Sequence, residues 1–177
     1  MSSSRTPAPY PSAAGRAVHP YDLARRSHER AQVVAGRLEG RTVLDFGTHK
    51  GAIASLLAGE GFEVTAVAPG LGKVPGVTTI AGMLDPDGIR RLGTFDHVLA
   101  LSVLHHCTPW RDYWQALAEV ARLSVIVETP REGEPVPSQP GLAPAFTGFP
   151  VIGTFPGKRD GWTRDIVEVA RVDRDRY

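Results

Sequence analysis

Several features are scarce in this 177-residue chain, and each scarcity removes a class of function. Cys107 is the single cysteine, so no internal disulfide can form and a cysteine metal cluster is excluded. No apolar run approaches the length of a membrane span. No block of lysine or arginine is present and the formal net charge is +1, which argues against an electrostatic grip on a long nucleic acid. The first residues, MSSSRTPAPYPSAAGRAVHP, lack the apolar core of a signal peptide, and the protein reads as cytoplasmic. No internal repeat is evident.

What is present fits one soluble domain. Hydrophobic residues make up 42% and charged residues 22%, and the length allows a sizeable core without room for two comfortable domains. Residues 1–19, rich in Ser, Pro and Ala, bury little apolar surface and are expected to be a flexible arm; residues 20–177 are expected to form the single domain. Leu23, Ala31, Val34 and Leu38 fall on one face of an expected helix from Tyr21 to Leu38, with Gly40 as its stop signal. Arg25, Arg26, Glu29 and Arg30 read as the solvated face of that helix.

An alternation follows. RTVLDF, FEVTAVA, VTTIA, FDHVLALSV and SVIVET read as strands; GAIASLLAGE, PDGIRRL and PWRDYWQALAEVARL read as helices between them. Thr108 and Pro109 are expected as N-cap and first residue of the last helix. Such alternation implies parallel strands with crossover helices, an α/β three-layer fold. The strands are apolar throughout, as when both faces of a sheet are covered. Residues 130–150 carry six prolines and are expected to hold little regular structure, with the option of serving as a lid. PVIGTF and RDIVEVARV, separated by PGKRDGWT, read as an antiparallel hairpin added to the sheet.

Four pieces of this order, TVLDFGTHKGAIASLLAGEGFEVTAV, FDHVLALSVLHH, the helix and strand ending in VIVETP, and the terminal hairpin, together resemble the class I S-adenosylmethionine-dependent methyltransferases over roughly residues 40–172. The resemblance implies a Rossmann-like methyltransferase fold: a mostly parallel seven-stranded sheet whose C-terminal hairpin is antiparallel. It also implies S-adenosylmethionine as cofactor. Glycines at Gly47 and Gly51 match the family's GxGxG with His49 at the centre; a dinucleotide fingerprint would space its glycines differently, which argues against NAD.

By that resemblance Asp45 lies near the methionyl ammonium, Gly47, Thr48, His49 and Gly51 form the cofactor loop, and Ser102, at the end of strand four, is expected among the cofactor-binding residues. A turn-capping role for Asp45 and a tolerated-loop role for His49 remain the structural alternatives. Ala68 occupies the position where relatives carry the ribose-binding acid. Met83 is expected as an apolar lid on the adenine and Asp85 as its polar contact, with a helix cap as the other reading of Asp85. His106, with His105 beside it, falls where small-molecule O-methyltransferases place a base, and metal binding by the pair is not expected. Trp110, Tyr113 and Trp114 read as core or as an aromatic wall beside the substrate, and Glu128 as a residue that could face the pocket.

The place of the NPPY or DPPY signature reads SVLH, which favours a small-molecule acceptor over DNA. The expected function is methyl transfer to oxygen or nitrogen of a small molecule. The alternative is a catalytically degenerate member serving as a binding or interaction module, because His49 and Ala68 both depart from the common pattern. Acceptor identity and oligomeric state are not legible.

Overall fold

The structure, a computed structural model, describes residues 26–134, 139–157 and 161–171. The expected N-terminal arm and the first turns of the expected first helix lie outside the described residues. In chain order the elements are α1 (Ser27–Ala35), β1 (Thr42–Phe46), α2 (Ala52–Gly59), β2 (Glu63–Ala68), β3 (Val77–Ala81) and α3 (Pro86–Arg90). Then come β4 (Phe95–Leu101), a short 3-10 turn (Leu104–His106), α4 (Trp110–Val120), β5 (Ala121–Glu128), α5 (Leu142–Ala145), β6 (Val151–Pro156) and β7 (Thr163–Ala170).

The strands form one seven-stranded sheet in the order β3-β2-β1-β4-β5-β7-β6, with β1 to β5 parallel and β7 antiparallel to both neighbours. This is the expected α/β architecture. Alternate side chains along each strand enter two separate cores. Leu44, Phe46, Val98 and Val127 pack under α3, α4 and α5 with Ile89, Trp114 and Leu142. Val43, Leu99, Ile126 and Ile166 pack under α1 and α2 with Val34, Ala54 and Leu57. The sheet is therefore apolar on both faces, as a parallel sheet with crossover helices must be.

The strand order reverses between β1 and β4, which are parallel, hydrogen-bonded neighbours: β2 and β3 lie beyond β1, and β5, β7 and β6 lie beyond β4. The helix after β1 packs on one face of the sheet and the helix after β4 on the other, so the loops after these two strands leave toward opposite faces. Ligands of open α/β sheets sit at such a switch point.

Two boundaries differ from the periodicity-based reading. The fourth helix stops at Val120 and the chain passes straight into β5, so Ala121, Arg122 and Leu123 are strand. Helix propensity loses to tertiary pairing here: Ala121 joins the ladder opposite Phe95, and Arg122 reaches the Asp96 carboxylate at 2.7 Å. That helix also begins one residue late, with Pro109 at the N-cap and Trp110 first. Its capping oxygen comes from far along the chain, since the Trp110 N–H donates to Gln139 Oε1 at 3.2 Å. Sequence-local cap signals do not register such a partner.

Candidate functional site

β1 delivers Asp45 to the carboxyl edge of the sheet, on the face covered by α1 and α2. Its carboxyl is 3% exposed. Burial pushes its pKa up to about 6, and the Thr48 hydroxyl, donating at 2.5 Å, offsets part of that shift. Among the described residues no lysine, arginine or histidine forms an ion pair with it. A buried carboxyl held by a single hydroxyl is poised for an external cation.

The loop after Asp45 is built on left-handed backbone. Gly47, His49 and Gly51 have φ of 83°, 57° and 79°. His49 thus keeps the conformation that a central glycine would take, with its side chain exposed. Histidine is among the side chains that visit this region at modest cost, which accounts for its tolerance here. The Gly47 and Thr48 N–H groups both donate to the Val67 carbonyl, at 2.8 and 3.2 Å, which ties the loop to the end of β2.

The glycines meet side chains of the protein itself. A Cβ at Gly47 would stand 2.3 Å from Val103 Cγ2, and one at Gly51 would stand 2.7 Å from Val74 Cγ2. Gly47 lets the loop after β4 close on the loop after β1. Replacing Gly47 by Ala is expected to cost about 2–4 kcal/mol, from overpacking against Val103 plus left-handed strain. Denaturant melts of Gly47→Ala beside Gly47→Ala/Val103→Ala check this, since the second change should recover the overpacking part.

At the end of β2, Ala68 is buried in one apolar cluster with Leu71 and Val74. Its carbonyl accepts from the N–H groups of Leu71 and Gly82. Past β3, Met83 is 49% exposed. Asp85 caps α3, accepting from the Gly88 N–H at 2.6 Å, so the capping alternative is the one the structure displays.

On the neighbouring strand, Ser102 follows β4 with φ of 59°. Among the described residues three non-glycine positions have positive φ, and two of them, His49 and Ser102, lie in the loops after β1 and β4 on either side of the switch point. Left-handed non-glycine residues concentrate at functional sites. In the turn that follows, His105 is buried and His106 exposed, their rings 4.0 Å apart. The Cys107 thiol is buried and pushed up to about 12 by that burial, which makes it a poor nucleophile. Among the described residues no group of three or more His, Cys, Asp or Glu is placed to hold a metal ion.

Sequence reasoning missed a buried ionic network at this edge. Arg30, expected on a solvated face, is 2% exposed and donates to Glu128 Oε1 at 2.7 Å and to the Pro156 carbonyl at 3.0 Å. Its guanidinium also lies 4.8 Å over the Phe155 ring. Glu128 does not face open space: its other oxygen accepts from the Ser102 hydroxyl. Ser102 Oγ accepts from Arg164 at 2.9 Å, and Arg164 is held by Glu134 at 2.7 Å. The network ties α1, the ends of β4 and β5, the start of β7 and the first turn of the proline-rich segment. The only signal available beforehand was the helical spacing of Arg30 beside Ala31 and Val34, which does not separate a buried flank from a wet one.

Trp110 and Trp114 are core residues. Trp114 packs edge-on against Phe146 at 4.9 Å, and Trp110 Nε1 donates to the Pro140 carbonyl at 3.2 Å. With Gln139 donating to the Cys107 carbonyl, they dock the proline-rich segment onto α4. Beyond that segment, a cleft of about 320 Å³ opens between the end of β5, the stretch around α5, and β6 and β7.

Solved structures share this architecture. WbdD, described as a bifunctional kinase-methyltransferase, superposes with a TM-score of 0.66 at 22% identity, over 86% of this chain and 43% of WbdD. Magnesium protoporphyrin IX methyltransferase (ChlM) from Synechocystis PCC 6803, solved with bound S-adenosylmethionine, superposes at 0.59 with 19% identity, covering 89% of this chain and 86% of that one. The chain has the class I S-adenosylmethionine-dependent methyltransferase fold. The N-terminal domain of EvdMO1, solved with bound S-adenosylhomocysteine, matches the same methyltransferase fold at 0.57 and 18% identity, over 82% of this chain and 80% of that one. No protein-family model and no curated protein matches the sequence. The chain spans less than half the length of WbdD. Asp45 and Ser102 stand on either side of the switch point of this sheet, where open α/β sheets in general bind their ligands.

Proposed function

We propose that the protein is an S-adenosylmethionine-dependent methyltransferase acting on oxygen or nitrogen of a small molecule. The observation that supports this most is the buried Asp45 carboxyl at the switch point, lacking a basic partner among the described residues. Its chemistry fits the ammonium of a methionyl group. ChlM and EvdMO1, solved with S-adenosylmethionine or S-adenosylhomocysteine on the same fold, add support.

In this reading Asp45 holds the ammonium and Thr48 orients the carboxylate. Gly47, His49 and Gly51 shape the loop, and Ser102 borders the methionyl end. The ribose lies at the end of β2, where Ala68 stands in place of an acid, and Met83 and Asp85 flank the adenine. Bound S-adenosylmethionine supplies a methyl group on a sulfonium leaving group. Holding the acceptor in line with that methyl group accounts for much of the rate enhancement. His106, exposed at the same edge, takes the proton from a neutral hydroxyl acceptor, with the His105 ring packed against it.

A second reading, a binding module on a degenerate fold, draws on Ala68. A hydrogen bond to a charged group is worth about 1.5–3 kcal/mol, so lacking the ribose acid weakens binding by roughly ten- to a hundredfold. Leu71 and Val74 close the end of β2 with further apolar surface.

Calorimetric titration with S-adenosylmethionine and S-adenosylhomocysteine separates the two. Saturable binding in the range of about 1 μM to 1 mM, lost in Asp45→Ala, is expected for the enzyme. Absence of binding by the wild-type protein at millimolar ligand would favour the module.

A further inference from the structure

The cleft beyond β5 belongs to neither the Asp45 loop nor the histidine pair, yet it adjoins the same edge. Its inner wall, Thr129 and Pro130, continues directly from Glu128, whose carboxylate holds Ser102. From Ser102 the chain runs to Val103, which packs on Gly47. Phe146, Phe149 and Val167 of its lining belong to the core under α3, α4 and α5, so the cleft lies on the opposite sheet face from Asp45, and Thr129 brings it to the carboxyl edge. At about 320 Å³ it sits at the small end of the range for small-molecule sites, about 300–1,000 Å³.

The chemistry of its wall narrows the occupant. Phe146, Phe149, Val151 and Val167 supply apolar surface. The charged members of the lining are Arg131, Glu132 and Asp165. Arg131 is committed to Asp165 through contacts of 2.8 Å to both carboxylate oxygens, and the Thr154 hydroxyl adds a third bond to Asp165 at 2.7 Å. That pair cancels, which leaves Glu132, among the described lining residues, as the charge with no ion pair to a neighbour in the lining. Val151, 56% exposed, is a large apolar side chain left open on the edge strand at this wall.

We propose that this cleft is the acceptor subsite, and that it takes an apolar, ring-sized molecule carrying an amine, seated on Phe146 and Phe149 with its ammonium toward Glu132. This rests on the methyltransferase reading for the word acceptor, but the binding claim stands on the cleft alone. An anion of the same shape is disfavoured, because Glu132 repels it and Arg131 is already paired.

The test uses three probes of one shape: 2-naphthylmethylamine, 2-naphthalenemethanol and 2-naphthoate. Each is titrated by fluorescence into the full chain, with and without saturating S-adenosylhomocysteine. The expected order is amine, then alcohol, then carboxylate. Val151→Trp and Thr147→Trp, both changes at exposed positions, fill the cleft from different walls and should weaken the amine at least about tenfold, one packed side chain's worth of contact. Glu132→Gln should remove about two- to fivefold of the amine preference, as expected for a charge at an exposed rim.

The proposal is overturned if no probe binds saturably at about 1 mM, which corresponds to roughly the weakest specific affinity worth a site. It is equally overturned if the carboxylate binds as tightly as the amine, or if both tryptophan variants bind the amine as the wild type does. Amine binding in a protein that ignores S-adenosylhomocysteine would sink the methyltransferase reading and leave the cleft as a ligand site. The reverse pattern would sink the cleft proposal alone.

Discussion

Cofactor affinity should collapse on the acid side of about pH 6, and Asp45→Asn should remove that dependence. The Asp45 carboxyl is raised from 3.8 to about 6, chiefly by desolvation. A cationic ligand needs the carboxylate form. Below about pH 6 the competent fraction falls by up to about tenfold per unit, and apparent affinity falls with it. Titrating S-adenosylhomocysteine between about pH 5 and pH 8 reads this directly. The asparagine variant should bind weakly at every pH and show no such slope. An unchanged wild-type affinity across that range would remove Asp45 from the site.

The same shift has a consequence for the ligand-free protein, with the opposite sign. For an acid whose folded pKa is raised, the native state holds the proton more tightly than the unfolded chain does between 3.8 and about 6. Stability from this group is present below 3.8 and is lost as pH rises through about 6. One pKa unit is 1.36 kcal/mol, so the whole shift is worth on the order of 3 kcal/mol. Asn keeps an oxygen for the Thr48 hydroxyl but carries no charge. The difference in stability between Asp45→Asn and wild type should therefore move by about 2 kcal/mol in favour of the variant from about pH 4 to pH 7.5. Comparing the two proteins at both pH values cancels the fixed penalty of the buried amide. Denaturant melts with and without S-adenosylhomocysteine would show one residue setting stability against binding.

The second large effect is expected at Arg30 and Glu128. Removing one partner of a buried pair strands the other, at a cost of about 3–5 kcal/mol. Arg30→Met takes from the Glu128 carboxylate, 1% exposed, the guanidinium that donates to it at 2.7 Å, and Glu128→Leu takes that same anion from Arg30. For a domain of this size each should lower Tm by roughly 6–20 °C, at about 2–4 °C per kcal/mol. The double variant Arg30→Met/Glu128→Leu should regain most of the loss, because apolar replacements of similar volume are often neutral in such places. A thermodynamic cycle over the four proteins checks it. Additive losses would mean that the contact at 2.7 Å couples the two side chains little.

The carboxyl edge combines two kinds of groups. Arg30, Glu128, Arg164 and Glu134 neutralise one another in pairs and are closed to ligands. Asp45, a few strands away, is the buried charge left without a basic partner among the described residues. That contrast is why the proposed reading assigns the cationic ligand to Asp45 and not to the paired groups.

Much of this was determined by the sequence alone. Short β-branched runs alternating with amphipathic stretches require a parallel sheet with crossovers, because each element must bury its apolar side. VTTIA became β3 without change, and the terminal hairpin joined the sheet antiparallel as its spacing implied. The positions of Asp45, Gly47 and Gly51 followed from a local motif, since a strand end, a sharp turn and a helix start are all set within about ten residues.

Other features were decided only in three dimensions, where the deciding partner is remote in the chain. Arg30 became a buried residue because Glu128 and Phe155 stand across from it, 98 residues away in the first case. The Gly47 position is confined by Val103, on another strand's loop. Ala121 to Leu123 became strand through pairing with β4, against their own helical preference. Local periodicity records which side of an element is apolar. Which charges meet on the buried side, and which carboxyl stays without a basic partner among the described residues, depends on how the strands are ordered in the sheet.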